Sequence, residues 1–390
     1  MRVRQLLVYA LLGLLWLALL AIPAGAQHSA QAPRDLSLPT AQPSGNPIND
    51  RVWFRFFPAA PAFQRPTPAV ILLHSLNDQT NGLQYQFAHY LVGQGLASAV
   101  MVLPYHMQRL PPGDNSFRHF LPRDTDTAVQ ALSQSASDVS TVTSWLERQP
   151  EVDARRIGVI GISLGAIVAH LAMGQDDRLT AGVAILGAGN LAHIYHNSLL
   201  YRFFHSRLPR LTARERERLL RVDPITYAER NRPRHVLMIQ AARDFILPPR
   251  DAVALWQALG RPPIRWLDTN HYAPLLAAGC IERASAAYLR AVWSQEPAPE
   301  RRVPGIYAPT LKLGLLMGLD SNLTFGLQWQ ALTFAARSDH MSLLHADIGL
   351  SGRGPFVGLA VTLTSFLDLG LAHRLNGRTL RPYLSLHLVF

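Results

Sequence analysis

Ile157-Gly158-Val159-Ile160-Gly161-Ile162-Ser163-Leu164-Gly165 is the stretch on which the reading of this chain turns. An apolar run leads into a five-residue Gly-x-Ser-x-Gly turn, and Ala166 to Met173 continues with helical character. Strand, tight turn, then helix is the setting of a nucleophile elbow. Strand and helix pass close together there, so the residues two before and two after the serine must be small. Gly161 and Gly165 meet that demand. The serine Oγ then stands exposed at the end of a sheet, with a helix N-terminus beneath it that favours developing negative charge.

A serine hydroxyl is a weak nucleophile and needs a base, which in turn needs an orienting acid. Downstream of Ser163, one aspartate follows an apolar run directly: Asp244, after Val236-Leu237-Met238-Ile239-Gln240-Ala241-Ala242-Arg243. The next short run, Ile264 to Leu267, is followed by Asp268-Thr269-Asn270-His271-Tyr272. This places Ser163, Asp244 and His271 on loops leaving one edge of a parallel sheet, where open α/β folds bind ligands. Asp268 competes as the acid, but its own loop already supplies the histidine. His340 and His345 lie in a later β-rich stretch and fit poorly. An oxyanion needs two backbone donors. The sequence points to the amide of Leu164, next to the nucleophile, and to that of Leu76 in the loop His74-Ser75-Leu76-Asn77. His74 reads as a brace for that loop.

Apolar strands alternate with helical stretches from Ala69 to Trp293. The strand candidates are Ala69–Leu73, Ala97–Leu103, Ile157–Ile160, Gly182–Leu186, Val236–Gln240 and Ile264–Leu267, and the helix candidates are Gln84–Gln94, Asp124–Gln149, Pro249–Leu259 and Cys280–Trp293. The pattern predicts an α/β class fold, a mostly parallel sheet with helices on both faces. Residues 190–235 interrupt it. Tyr195, Leu199, Leu200, Phe203 and Phe204 are apolar at helical spacing with several arginines on the opposite side, which reads either as a cap-like insertion overhanging the catalytic face or as a plain surface excursion. Residues 27–66, rich in Pro, Gln, Ser and Ala, read as an extended lead-in with one aromatic strand candidate, Val52–Phe57.

Residues 67–295 resemble the α/β-hydrolase family, in particular its dienelactone-hydrolase and acetyl-xylan-esterase-like branches. The resemblance rests on the His74-Ser75 loop, the stretch VDARRIGVIGISLG from Val152 to Gly165, the stretch ARDFILPP around Asp244, and Asn270-His271-Tyr272. Where that family usually has His-Gly, this chain has His74-Ser75; where a glycine often precedes the acid, it has Ala241-Ala242. The resemblance implies a serine hydrolase with a Ser163–His271–Asp244 triad that works without a cofactor. It most often acts on esters, and also on amides, thioesters and lactones.

From Ile306 onward the character changes to strict alternation. Leu311, Leu313, Leu315, Met317 and Leu319 alternate with Lys312, Gly314, Leu316, Gly318 and Asp320; Leu323, Phe325, Leu327 and Trp329 alternate with polar residues and glycine; Leu384, Leu386, Leu388 and Phe390 share one face at the end. About six such segments, with turns at Asp320-Ser321-Asn322 and Asn376-Gly377, read as an antiparallel β region over 306–390. Apolar outside and polar inside is the pattern of an outer-membrane barrel wall, and the terminal phenylalanine resembles the C-terminal signal of such barrels. Single-chain barrels start at about eight strands, so six would need strands from a second chain, which would make a homo-oligomer, or an open sheet packed on something. A soluble accessory sheet is the alternative.

Composition bounds the rest. The chain has 390 residues, 48% hydrophobic, one cysteine and a formal net charge of +11 carried almost wholly by arginine, Lys312 being the single lysine. One cysteine excludes an intrachain disulfide. The arginines are scattered and accompany no nucleic-acid motif, so no nucleic-acid partner is expected. No helical His-x-x-x-His with a glutamate occurs and cysteine ligands are absent, so no metal is expected; no phosphate-binding glycine loop follows a first strand. Arg2 and Arg4, an apolar run from Leu6 to Ile22 and Ala24-Gly25-Ala26 read as a signal peptide over 1–26, with an uncleaved membrane anchor as the runner-up; either implies export, to the periplasm or outer membrane of a Gram-negative-type bacterium. The expectation is an exported serine hydrolase acting on a small-molecule ester or lipid. The alternatives are a prolyl-oligopeptidase-like peptidase, and an outer-membrane anchored structural or assembly protein with a hydrolase-like domain.

Overall fold

Residues 32–205, 208–318, 323–336, 339–375 and 380–389 are described by the computed structural model. The leader over 1–26, both turn signals (Asp320-Ser321-Asn322 and Asn376-Gly377) and Phe390 lie outside the described residues.

The first layer is an eight-stranded sheet in the order β1-β2-β4-β3-β5-β6-β7-β8. Its strands are β1 (Arg34–Pro39), β2 (Arg51–Phe57), β3 (Thr67–Leu73), β4 (Ala97–Met101), β5 (Val152–Ile162), β6 (Leu179–Ile185), β7 (His235–Ala241) and β8 (Ile264–Leu267). From β4 to β8 all pairings are parallel. β1 and β2, from the stretch read as an extended lead-in, join the sheet as antiparallel strands at its edge. Alternation explains β2, whose Val52, Phe54 and Phe56 turn inward. Phe54 and Phe56 each meet the Trp145 ring edge-on at 5.1 Å.

Five helices cover the sheet: α1 (Gly82–Gly93), α2 (Thr125–Glu147), α3 (Leu164–Gln175), α4 (Pro249–Ala258) and α5 (Ala278–Trp293). Because strand side chains alternate, the central strands feed two cores. Ile157 and Val159 join Leu132 and Val139 of α2, Val168 and Leu171 of α3 and Leu255 of α4 on one face. Ile160 and Ile162 join Phe87 and Leu91 of α1 and Ile281 and Leu289 of α5 on the other. Asp124 starts α2 by accepting the Thr127 N–H at 2.9 Å, as an N-cap does.

The insertion forms short helices over Leu191–Asn197, Leu199–Phe204 and Ala213–Leu220. Tyr195 and Tyr201 donate their hydroxyls to the carbonyls of Arg123 (2.7 Å) and Phe120 (3.2 Å), and Phe204 packs on Phe117 with ring centroids 4.5 Å apart. The Leu199 N–H donates to the Phe245 carbonyl at 3.0 Å, directly beside Asp244. The insertion therefore lies against the catalytic edge of the sheet.

The second layer is a closed six-stranded antiparallel barrel: β9 (Thr310–Gly318), β10 (Leu323–Ala336), β11 (Ser342–Ser351), β12 (Gly354–Thr364), β13 (Leu367–Arg374) and β14 (Leu380–Val389). β9 pairs with both β10 and β14, so the sheet has no free edge. This corrects the expectation that six strands must borrow partners from a second chain or stay open. Closure at six is feasible because the lumen is filled by side chains. Phe356 and Tyr383 reach across it, and Gly349 and Gly370 make the room. A Cβ on Gly349 would lie 2.4 Å from the Phe356 ring, and one on Gly370 2.8 Å from that of Tyr383.

The barrel is inside out relative to the hydrolase-like layer. Lys312, Gln328, His345, Asp347, Asp368, Ser385 and His387 are buried inside, whereas Phe325, Leu327, Leu332, Phe334, Leu350, Leu359, Leu386 and Leu388 are all exposed outside. Lys312 Nζ lies 2.6 Å from His345 Nε2, 2.8 Å from Asp368 Oδ2 and 3.3 Å from Asp347 Oδ1. None of the described helices is long and apolar enough to cross a membrane.

Candidate active site

Ser163 follows β5 and begins α3 with φ 55° and ψ −111°, a region that L-residues rarely occupy. The surrounding glycines permit this strain. A Cβ on Gly161 would sit 2.0 Å from the Gly165 carbonyl oxygen, and one on Gly165 would sit 2.5 Å from that of Leu73. No neighbour can give way at such distances, because the obstacles are backbone. The Ser163 N–H is tied to the Ile185 carbonyl at 2.8 Å, which fixes the turn to β6.

Asp244 follows β7 and His271 follows β8, both buried. His271 Nδ1 donates to Asp244 Oδ2 at 2.6 Å, and Ser163 Oγ donates to His271 Nε2 at 2.9 Å. The second Asp244 oxygen accepts the N–H groups of Ile246 (2.8 Å) and Leu247 (2.9 Å). One oxygen is thus held by backbone while the other orients the imidazole. The three residues singled out in the sequence meet as a hydrogen-bonded chain of acid, base and hydroxyl, the arrangement that activates a serine for acyl transfer.

Asp268, the competing acid, is engaged elsewhere. It pairs with Arg243 (Nε to Oδ1, 2.7 Å). Burial pushes its carboxyl up, but the Arg243 guanidinium and Ser342 outweigh this and hold it below the ordinary value. Asn270 Oδ1 accepts from the N–H groups of Tyr272 (2.9 Å) and Ala273 (3.0 Å), closing the turn that presents His271.

Leu164 opens α3, and its N–H, like that of Leu76, has no protein acceptor among the described residues. The loop bearing Leu76 is pinned from both sides. His74 Nδ1 donates to the Ser75 carbonyl at 2.8 Å while its Nε2 accepts the Leu103 N–H at 3.0 Å. His106 Nδ1 donates to the Pro104 carbonyl at 2.8 Å and its Nε2 accepts the Asn77 N–H at 3.0 Å. Burial lowers the pKa of both rings, which suits this neutral donor-and-acceptor use. His74 is the brace that the sequence suggested. His106 was not foreseen, because its role depends on a loop 29 residues away in the chain.

One cluster was missed. His345, Asp347 and Asp368 converge in the barrel with their ligand atoms within 4.8 Å of one another, a donor set that a metal ion could use. The sole lysine ammonium stands among them, and supplies the positive charge there.

Comparison with known proteins bears on the sheet-and-helix layer that carries these residues. The Prolyl oligopeptidase family matches residues 130–270, which spans the elbow, Asp244 and Asn270. No curated protein matches the chain. Among solved structures, an acylaminoacyl peptidase of Pyrococcus horikoshii superposes with a TM-score of 0.54 at 14% identity, over 71% of this chain and 44% of its own. A puromycin-hydrolyzing peptidase of Mycobacterium tuberculosis gives 0.51 at 17%, over 68% and 40%. An esterase of Pyrococcus furiosus gives 0.49 at 14%, over 69% and 97%. This chain spans under half the length of each of the two peptidases.

Proposed function

We propose that this chain, an α/β-hydrolase superfamily protein carrying a C-terminal barrel, is an exported serine hydrolase that cleaves carboxylic esters at the face of an outer membrane. The observation that carries the catalytic reading is the continuous Ser163–His271–Asp244 hydrogen-bond chain on a strained elbow. In this reading Ser163 Oγ attacks the ester carbonyl carbon as His271 Nε2 takes its proton. The amides of Leu164 and Leu76 receive the oxyanion. His271 then returns the proton to the departing alcohol, leaving an acyl-enzyme. Water, deprotonated by the same nitrogen, releases the acid. Asp244 keeps the imidazole in the tautomer that can accept the serine proton.

Ester preference is supported by the insertion, which brings the exposed, apolar Leu199 beside the loop of Asp244, a surface suited to acyl chains. The membrane location is supported by the barrel's exposed leucines and phenylalanines around a charged lumen, since only a closed barrel or a helix satisfies its backbone in lipid. The packed lumen argues for an anchor and against a pore. A second reading, a peptidase acting on short peptide amides, is favoured by the match to the Prolyl oligopeptidase family.

The test sets p-nitrophenyl esters of increasing acyl length beside aminoacyl p-nitroanilides, with Ser163→Ala as control. Turnover of esters alone, lost in Ser163→Ala, supports the ester reading. Faster turnover of anilides would install the peptidase reading, and turnover that survives Ser163→Ala would remove the triad from the mechanism. Recovery of the full-length protein from a membrane-free periplasmic extract would remove the anchor.

A further inference from the structure

The loops that carry the acid and base also hold the end of the barrel. From the end of β8 into the loop after it, alternate residues reach across the junction. The Trp266 ring stacks on His340, with centroids 4.6 Å apart and planes 7° apart. Asp268 Oδ2 accepts the Ser342 N–H at 2.9 Å and Gln330 Nε2 at 3.2 Å, and its carbonyl accepts Thr310 Oγ1 at 2.7 Å. Asn270 Nδ2 donates to the Val389 carbonyl at 2.6 Å. Beside Asp244, Arg243 Nη1 donates to the Ser365 carbonyl at 3.2 Å. His271 is the next residue after Asn270, and Asp244 the next after Arg243.

We infer that Asn270 and Asp268 are positioning residues through which the closed barrel sets the Asp244–His271 pair, so that the hydrolase reaches full activity only once the barrel has formed. The inference rests on the serine-hydrolase reading above. Three observations carry it. First, the rim groups come from the start of β9, from β10, from the start of β11, from the β12–β13 turn and from the end of β14. They stand together only when β9 and β14 pair. Second, Asn270 is buried and its amide is held at both ends, by the Tyr272 and Ala273 N–H groups at Oδ1 and by Val389 at Nδ2. Without the barrel its NH2 would lose this fixed acceptor and turn to water, so the turn that presents His271 would keep only its inner bonds to Tyr272 and Ala273 and lose its outer tether. Third, catalysis tolerates little displacement. A shift of about 1 Å in a positioned group can cost on the order of a hundredfold in rate. His271 must hold both a 2.6 Å and a 2.9 Å contact.

The experiment uses the full-length chain in detergent, on the monodisperse fraction whose far-UV circular dichroism matches wild type. Asn270→Ser keeps an oxygen for the Tyr272 turn but is too short for Val389; Asp268→Asn weakens the Ser342 and Arg243 contacts. For both, kcat and the labelling rate at saturating fluorophosphonate should fall about tenfold or more, with KM within about twofold of wild type, a split that loss of substrate binding would not produce. If both variants keep kcat within about twofold of wild type, the inference is overturned. A second arm needs no substitution. During refolding of wild type into micelles, labelling should rise with the closed-barrel band on unheated gels, and labelling that is complete before that band forms overturns the inference. Failure of the reading beneath it is distinct: wild type would not label at all, or Ser163→Ala would label like wild type.

Discussion

Replacing Asp244 by asparagine keeps the shape of the site and reverses one hydrogen-bond polarity. Oδ1 of Asp244 accepts two backbone N–H groups, from Ile246 and Leu247. An asparagine must present its carbonyl oxygen there, because its NH2 would otherwise face two fixed donors. The NH2 is therefore turned towards His271 Nδ1, which must become an acceptor. The ring proton moves to Nε2, and Nε2 can no longer take the proton of Ser163. Reaction then requires flipping the asparagine and leaving two buried N–H groups unsatisfied, at about 1–3 kcal/mol each. The sum, roughly 2–6 kcal/mol, corresponds to a fall in kcat of about 30-fold to 2 × 10⁴-fold at about 1.36 kcal/mol per decade. KM should hold, since no contact with the acyl or alcohol part changes. The assay is steady-state hydrolysis of a short p-nitrophenyl ester by Asp244→Asn, with circular dichroism to show an unchanged fold. A folded variant with kcat within tenfold of wild type would refute the tautomer argument and the assignment of Asp244 as the orienting acid.

Three further outcomes follow from packing and charge. Gly161→Ala would force a Cβ to 2.0 Å from the Gly165 carbonyl oxygen, so thermal denaturation should show a loss of about 3 kcal/mol or more together with loss of fluorophosphonate labelling. Burial raises the Glu282 carboxyl from 4.5 to about 6. The folded chain therefore holds that proton where the unfolded chain releases it, and stability is full below about pH 4.5 and declines as pH rises through 6. Glu282→Gln should recover on the order of 2 kcal/mol at pH 8 (1.5 units at about 1.36 kcal/mol each) and nothing at pH 4, read as the change in melting temperature at each pH. Lys312→Met would take the ammonium from between Asp347 and Asp368 and leave His345 Nε2, 3.4 Å from Asp347 and 3.3 Å from Asp368, to bridge them alone. Chemical denaturation in detergent should show the barrel weakened by about 3–5 kcal/mol, with partial recovery when Asp368→Asn is added.

The catalytic half was legible because its signals are local. Gly161 and Gly165 stand two residues from Ser163, and Asp244 and His271 lie in the loops that follow two apolar strands, so position along those strands, read with the Ser–Asp–His chain order that the resemblance implies, singled out the triad. The edge strands were less legible. Arg34–Pro39 and its partner lie among proline, serine and glutamine, and only pairing with β4 makes them part of the sheet. In the barrel, period-two alternation announced the strands and their two faces. It carried no information about closure, which depends on β9 finding β14 some seventy residues later. His106, Asp268 and Asn270 acquire their roles from partners far away in sequence, and no pattern of spacing marks such contacts.

The two halves solve burial in opposite ways, and that explains why they meet where they do. The open end of a barrel presents strand-end carbonyls and amides that need partners; here these are the Val389 and Ser365 carbonyls and the Ser342 N–H. The helix-covered flanks of the parallel sheet offer mainly apolar side chains, which would leave such groups unsatisfied. The loops beyond the carboxyl ends of β7 and β8 offer Arg243, Asp268 and Asn270, all buried or nearly so and all aimed at the rim. That edge is also where a parallel sheet presents its catalytic groups. Joining the barrel there satisfies its rim and stiffens the turns of Asp244 and His271 with the same hydrogen bonds. The constraint runs both ways: a substitution that loosens the barrel rim acts on the triad through residues adjacent to it in the chain, without touching the substrate.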